Sequence, residues 1–241
     1  VIKPFLNALP LGKTEEEILK EAALVKELAP DVVEWRVDIY EHVEDLEAVK
    51  EMISKLRAAF NQELLLFTFR SHKEGGNKEI SDAFYVELNE TAIRTKQIDL
   101  VDVELFNEKE NVEKLVAAAN ENGVFVIMSN HDFFKTPAKE EIISRLCKMQ
   151  EYGAHIPKIA VMPQNVGDVL TLLDATYTMK TEHADRPLIT MSMAGTGVIS
   201  RLAGEVFGSA FTFGAGKEAS APGQIPVAEL RTVLDILHKS L

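Results

Sequence analysis

DVVEWRVD, residues 31–38, is an apolar run of β-branched and aromatic residues interrupted by Glu34 and Arg36. A run this short and this apolar reads as a strand buried on both faces, as in a parallel sheet. A charged segment of helical periodicity (43–60) follows it, and then a second apolar run, ELLLFTF (63–69). Strand, helix, strand is the repeating unit of a parallel sheet, and the alternation extends in both directions. The other strand-like runs are 5–10, 98–105, 123–130, 156–162, 187–193 and 209–214. The other helix-like segments are 14–28, 81–97, 108–122, 137–152, 166–182, 196–207 and 226–239. Eight such units in 241 residues average about 30 residues each, the size of a βα repeat. No Ser/Gly/Pro-rich linker divides them. The expected fold is therefore α/β, one eight-stranded (β/α) TIM barrel domain over residues 1–241. The rival, an open doubly wound sheet, calls for a Gly-rich phosphate turn after the first strand. Leu11-Gly12-Lys13-Thr14 stands there, without GxGxxG. Three local signals mark helix ends: Thr14 with Glu17 as a capping box, Thr136 before Pro137 as a start, and Asn122-Gly123 as a stop.

Lys plus Arg total 26 and Asp plus Glu 38, a formal net charge of −12. That balance argues against a nucleic-acid or anionic-membrane binder, since both demand a basic face. A small anionic substrate stays possible, because a few arginines suffice to hold one. The single cysteine, Cys147, excludes an internal disulfide and suits a reducing compartment. No apolar run approaches the roughly 18–20 residues a membrane span needs, and no secretory signal is visible. A cytoplasmic protein is expected. No HExxH, Cys/His cluster or Asp/Asn-rich loop suggests a metal site.

Barrel chemistry gathers at the carboxyl ends of the strands. Few charged residues interrupt or close the apolar runs. Lys158 lies inside IPKIAVM (156–162). Burying an ammonium there is expensive, and loss of hydration frees the lone pair that a Schiff-base lysine needs. A strand-end lysine reaching solvent or paired with a carboxylate fits the position as well. His131 follows Ser129-Asn130 and suits proton transfer in both directions, or a plain backbone contact. Glu34 and Arg36 are two apart and face one side, as a buried ion pair or as contacts for a polyhydroxylated ligand. Arg70 and Arg201 sit at two strand ends, where either clamps a carboxylate or ties down a loop. Asp102 and Glu104 read as partners of Arg36 or Arg70. Gly195-Thr196-Gly197 is an anion cradle or a tight turn. The small-residue loop 214–223 is a candidate lid.

Taken together, these segments resemble the type I 3-dehydroquinate dehydratase (type I dehydroquinase) family. The resemblance is carried by EWRVD (34–38), TFRSHKEGG (68–76), SNHDF (129–133) with Thr136-Pro137, KIAVMPQN (158–165), ITMSMAGTGVISRLAGEVFGSAFTFG (189–214) and ASAPGQIP (219–226). It implies a lyase of the shikimate pathway of aromatic amino-acid biosynthesis, dehydrating 3-dehydroquinate to 3-dehydroshikimate through a lysine Schiff base. By position, Lys158 becomes the Schiff-base lysine, His131 the general acid/base and Glu74 the residue orienting that histidine. Arg201 becomes the carboxylate clamp, Glu34, Arg36 and Arg70 line the substrate hydroxyls, and Ser220 and Gln224 belong to the closing loop. The resemblance further implies a homodimer that needs no nucleotide, metal or organic cofactor. Without it, the residues also admit a class I aldolase-like lyase or a silent barrel binding a carboxylate metabolite.

Overall fold

The computed structural model describes residues 5–8, 12–216 and 223–241. Among the described residues eight strands form one parallel sheet: β1 Phe5–Ala8, β2 Val32–Arg36, β3 Leu64–Thr68, β4 Leu100–Glu104, β5 Phe125–Asp132, β6 Ile156–Val161, β7 Ile189–Ser192 and β8 Phe211–Phe213. Their order is β7-β6-β5-β4-β3-β2-β1-β8. The end strands also meet: Leu188 bridges Ser209, and the Ala210 N–H donates to the Leu188 carbonyl at 2.8 Å. Helices α1 Glu15–Glu27, α2 Leu46–Ala59, α3 Asp82–Arg94, α4 Lys109–Asn122, α5 Lys139–Glu151 and α6 Val166–Thr178 follow β1 to β6 in turn. Short helices α7 Val198–Leu202 and α8 Gly204–Phe207 follow β7, and α9 Val227–Ser240 follows β8.

The period-two alternation of β2 to β6 sorts side chains between two cores. Val33, Trp35, Leu65, Phe67, Val101, Val103, Val126 and Met128 face outward and pack on helix residues such as Met52, Leu56, Leu88 and Leu115. Val32, Leu66, Leu100, Ile127, Ile156 and Ile189 form a separate cluster with Phe211 and Phe213 on the sheet's inner side. These inner residues define a parity. Two residues further along each strand the same face carries Glu34, Thr68, Asp102, Ser129 and Lys158, and two further again Arg36, Arg70, Glu104 and His131. The interior therefore runs from apolar to charged toward the carboxyl ends. That is what places the polar residues together.

Local signals and structure agree at two of the three helix ends. Thr14 and Glu17 form the reciprocal capping box. Gly123 stops α4 in the left-handed region, φ 72°, where a side chain would be strained. The expected start at Thr136-Pro137 is displaced: α5 begins at Lys139, and Thr136 Oγ1 donates instead to the Met162 carbonyl at 3.1 Å. The segment 166–182 divides into α6 and a π-helical turn, Met179–His183. Among the described residues no helix is long and apolar enough to cross a membrane.

Candidate active site

Lys158 stands midway along β6, paired across the ladder with Ser129 of β5 and Ile189 of β7. It is buried, its Nζ 3.4 Å from Asp102 Oδ2 and 4.7 Å from the centroid of the Phe213 ring. Asp102 is itself shared. Ser129 Oγ donates to its Oδ1 at 2.6 Å and Arg70 Nη2 lies 2.9 Å from its Oδ2. Burial works against that carboxylate, yet Arg70, Lys158 and Ser129 together hold its pKa below the usual range.

Arg70, just past β3, is the hub of the charged layer. It donates to Glu104 at 2.8 Å and to Ser129 at 2.9 Å, and lies 3.6 Å from Glu74. Despite burial, these carboxylates drive its pKa well above the ordinary value. Of the two partners expected for Asp102 and Glu104, it is Arg70 that holds both. Arg36 instead forks onto Asp38, at 2.7 and 2.8 Å, so the pairing seen is with Asp38.

Glu74 sits in a single helical turn, His72–Glu74, closed by Gly75 and Gly76. A Cβ at Gly76 would fall 1.8 Å from the Arg70 carbonyl, so only glycine lets this turn fold back against the strand end. Glu74 Oε2 accepts from the His131 backbone N–H at 3.0 Å and faces His131 Nδ1 at 2.9 Å. Its Oε1 accepts from Asn130 Nδ2 at 3.1 Å. Burial and the Glu104 carboxylate, against Arg70 and Asn130, push the Glu74 pKa up to about 8. Burial, then the charges of Arg70, Lys158 and Arg36, hold the His131 imidazole well below its usual range. While Glu74 keeps its proton it donates to Nδ1, and Nε2 carries the ring hydrogen. Once Glu74 ionises it accepts from Nδ1–H, and Nε2 becomes the base.

These groups surround a cavity of about 290 Å³. Glu34, Arg36, Arg70, Glu74, His131, Lys158, Arg201 and Gln224 all line it, with Met191, Met193, Phe133 and Phe213 as the apolar wall. Ser220 lies outside the described residues. Arg201, on α7, is 1% exposed and touches the Met191 sulfur through Nη1 at 3.5 Å. Its backbone carbonyl accepts from Thr212 of β8. Burial lowers its pKa to about 10, so an anion beside it recovers part of the lost solvation. Gly197 and Val198 spend their N–H groups on the carbonyls of Ala194 and Gly195, the hydrogen bonds of a tight turn. Two residues escaped the sequence reading, Asn130 and Arg145. Arg145 Nη1 donates to Asn130 Oδ1 at 2.9 Å, 15 positions away in the chain, and no motif carries that pairing. A larger groove of about 680 Å³ passes Lys180, Arg186 and Glu205 and holds none of the expected residues. Among the described residues no cluster of His, Cys, Asp and Glu is placed to hold a metal ion.

A parallel α/β sheet whose carboxyl ends gather an amine, an imidazole–carboxylate dyad and arginines around one ligand-sized cavity has the form of an α/β enzyme. The family can be stated more narrowly. The chain belongs to the type I 3-dehydroquinase family, which matches residues 8–241. It is 67% identical to the 3-dehydroquinate dehydratase of Bacillus subtilis (strain 168) over 230 residues, 95% of this chain and 90% of that protein. Among solved structures it resembles the type I 3-dehydroquinate dehydratase of Clostridium difficile with covalently modified comenic acid. There the TM-score is 0.97 at 54% identity, over all of this chain and 95% of that one. The 3-dehydroquinate dehydratase of Geobacillus kaustophilus gives 0.95 at 41% identity, over 98% of this chain and 91% of that one.

Proposed function

We propose that this chain dehydrates 3-dehydroquinate to 3-dehydroshikimate in the shikimate pathway, through a Schiff base on Lys158. The observation that carries the reading is the placement of Lys158 and the His131–Glu74 pair on the wall of one cavity. The identity to dehydratases named for this reaction supports the substrate.

Lys158 attacks the C3 ketone as the free amine after passing a proton to His131, which returns it to the carbinolamine hydroxyl; that hydroxyl leaves as water and gives an iminium. That cation is the electron sink a plain ketone lacks. His131 Nε2 takes a proton from C2, and the C–H electron pair forms an enamine. The enamine expels the C1 hydroxyl, which leaves as water with the proton His131 gained. A water molecule hydrolyses the product iminium, and Lys158 leaves it carrying the proton with which the cycle began. Glu74 accepts from His131 Nδ1–H and stabilises the imidazolium formed in between. Arg201 holds the substrate carboxylate and so turns C1 and C2 toward His131. Glu34 and Arg36 face the ring hydroxyls from β2. Arg70, fully engaged by carboxylates, fixes the charge layer beneath the substrate. Gln224 and Ser220 belong to the closing loop, which excludes bulk water. No step requires a cofactor.

The reading extends to architecture: one domain whose sheet closes as an eight-stranded (β/α) barrel, supported by the contact between β7 and β8. It also takes the enzyme as a cytoplasmic homodimer, in keeping with its one free thiol, Cys147. The decisive test is borohydride reduction with 3-dehydroquinate present, followed by peptide mapping. The adduct is expected on Lys158 in the wild type and in His131→Ala, and to be absent from Lys158→Ala. A reducible adduct in Lys158→Ala, or normal turnover in His131→Ala, overturns the assignment.

A further inference from the structure

Asn130 is adjacent to His131, yet its side chain has the opposite parity on β5. It leaves the inner face and lies between the strand and α5, in reach of Arg145. An amide can point either way, and its oxygen and nitrogen are nearly alike in shape. Here both neighbours choose the same orientation. Arg145 can only donate, so the atom it meets is Oδ1, and Nδ2 is turned to Glu74 Oε1 at 3.1 Å.

Arg145 is held in turn. Its Nε donates to Glu141 one helical turn back at 2.8 Å, Asp132 Oδ2 lies 4.0 Å away, and the Phe106 ring stacks on the guanidinium at 5.5 Å. The chain of contacts thus runs from α5 to the strand end and on to the base: Arg145, Asn130, Glu74, His131.

We propose that Arg145 and Asn130 are positioning residues for the Glu74–His131 pair, Arg145 locking the Asn130 amide so that an N–H always faces the Glu74 carboxylate. The proposal rests on His131 being the base of the reaction above. A donor fixed beside Glu74 favours its ionised form, the form in which Nε2 is the base. An amide free to turn would at times present Oδ1 to Glu74 Oε1, and two facing oxygens disfavour the ionised carboxylate while its protonated form still donates to Nδ1. The pair would then keep its proton longer. Every other charge facing Glu74 stays in place: Arg70 beyond β3, Asp102 and Glu104 on β4, and His131 itself. Lys158 on β6 and Arg36 on β2 still act on His131.

The test is steady-state kinetics with 3-dehydroquinate across pH on Arg145→Ala, Arg145→Lys, Asn130→Ala and the double variant Asn130→Ala/Arg145→Ala. In Arg145→Ala, kcat at neutral pH is expected to fall about tenfold, the change that one pH unit of displacement produces. KM should hold, and the acid limb of kcat/KM should move up. Arg145→Lys, which retains a donor, should recover most of the loss. The double variant should be no worse than Asn130→Ala alone, because Arg145 acts through that amide. An unmoved acid limb, a loss confined to KM, or additive losses in the double variant overturns the proposal. Should Arg145→Ala fail to fold, Asn130→Ala carries the same test through its acid limb. Borohydride trapping separates the two readings. No adduct in the wild type sinks the Schiff-base reading, whereas a normal adduct with an unmoved acid limb sinks only the role of Arg145.

Discussion

Glu74 is expected to cost the protein stability wherever it must ionise, and Glu74→Gln isolates that cost. The carboxyl goes from an ordinary 4.5 to about 8 on burial in the folded protein. Between those values the native state holds a proton that the unfolded chain has released. Unfolding then gives up a proton, so stability falls as pH rises through the window. The slope for one proton is about 1.4 kcal/mol per pH unit, and the whole window sets a ceiling on the order of 5 kcal/mol. Glutamine has nothing to titrate. Its N–H can donate to His131 Nδ1 as the protonated carboxyl does, and its oxygen can accept from Asn130 Nδ2, but the His131 backbone N–H then loses its acceptor. One hydrogen bond is lost, at about 1–3 kcal/mol, but equally at every pH. The diagnostic is therefore the slope and not the offset. A chain of 241 residues gains about 0.5 kcal/mol/K of unfolding entropy, so each kcal/mol is worth about 2 °C. From roughly pH 5.5 to 7.5 the wild type should lose about 5 °C of Tm relative to Glu74→Gln. Scanning calorimetry at fixed ionic strength reads this directly. Depressed carboxylates such as Asp38 and Asp102 titrate in both proteins and cancel. Parallel Tm curves over that range would refute the assignment of a buried, proton-retaining Glu74.

Two further outcomes follow from the charge layer. Arg70→Met leaves Asp102 and Glu104 buried without their shared cation and should cost about 3–5 kcal/mol, a Tm loss of roughly 6–10 °C at neutral pH. The loss should shrink toward pH 4, because Asp102 without Arg70 takes up its proton more readily, and a pH-independent loss would argue against a charge effect. Arg201→Ala should weaken binding of carboxylate-bearing ligands by one to two orders of magnitude, about 1.5–3 kcal/mol, and leave neutral analogues nearly unaffected. Isothermal titration with matched acid and amide ligands separates the two, and equal losses would exclude a clamp.

Much of the fold was legible because each strand is apolar on both faces and each helix on one. The errors cluster where polarity was taken for a strand end. Residues 123–130 were expected as the fifth strand, but Gly123 is spent on capping α4. The ladder continues through His131 and Asp132, which pair with Ala160 and Val161. A strand carrying chemistry at its carboxyl end stops looking like a strand before it stops being one. The opposite error occurs at 31–38, where Val37 and Asp38 are buried in a single turn beyond Arg36. Burial alone does not extend a ladder. Val166 to residue 182 carries a continuous helical pattern, and nothing in that pattern distinguishes i→i+4 from i→i+5 bonding at Met179–His183.

The site was legible in its members and illegible in its wiring. Lys158, Asp102 and Glu104 announce themselves because a charge inside an apolar run must be compensated. Which partner compensates which depends on register, and register is a property of the sheet. Arg36 reads as a partner of Glu34, Asp102 or Glu104, and the turn after β2 brings Asp38 to it instead. Asn130 and Arg145 gave no signal of their own, since an amide at a strand end and an arginine on a charged helix are ordinary where they stand. Their contact exists only because α5, which packs on β6, brings Arg145 to the end of β5, and it reaches the cavity only through Glu74, which comes across from another loop. Inward parity brings Glu34, Arg36, Arg70, His131 and Lys158 to the cavity, and the outward-facing Asn130 reaches it only through Glu74. A sequence reader who asks only what interrupts the apolar pattern finds the first group and passes over the second.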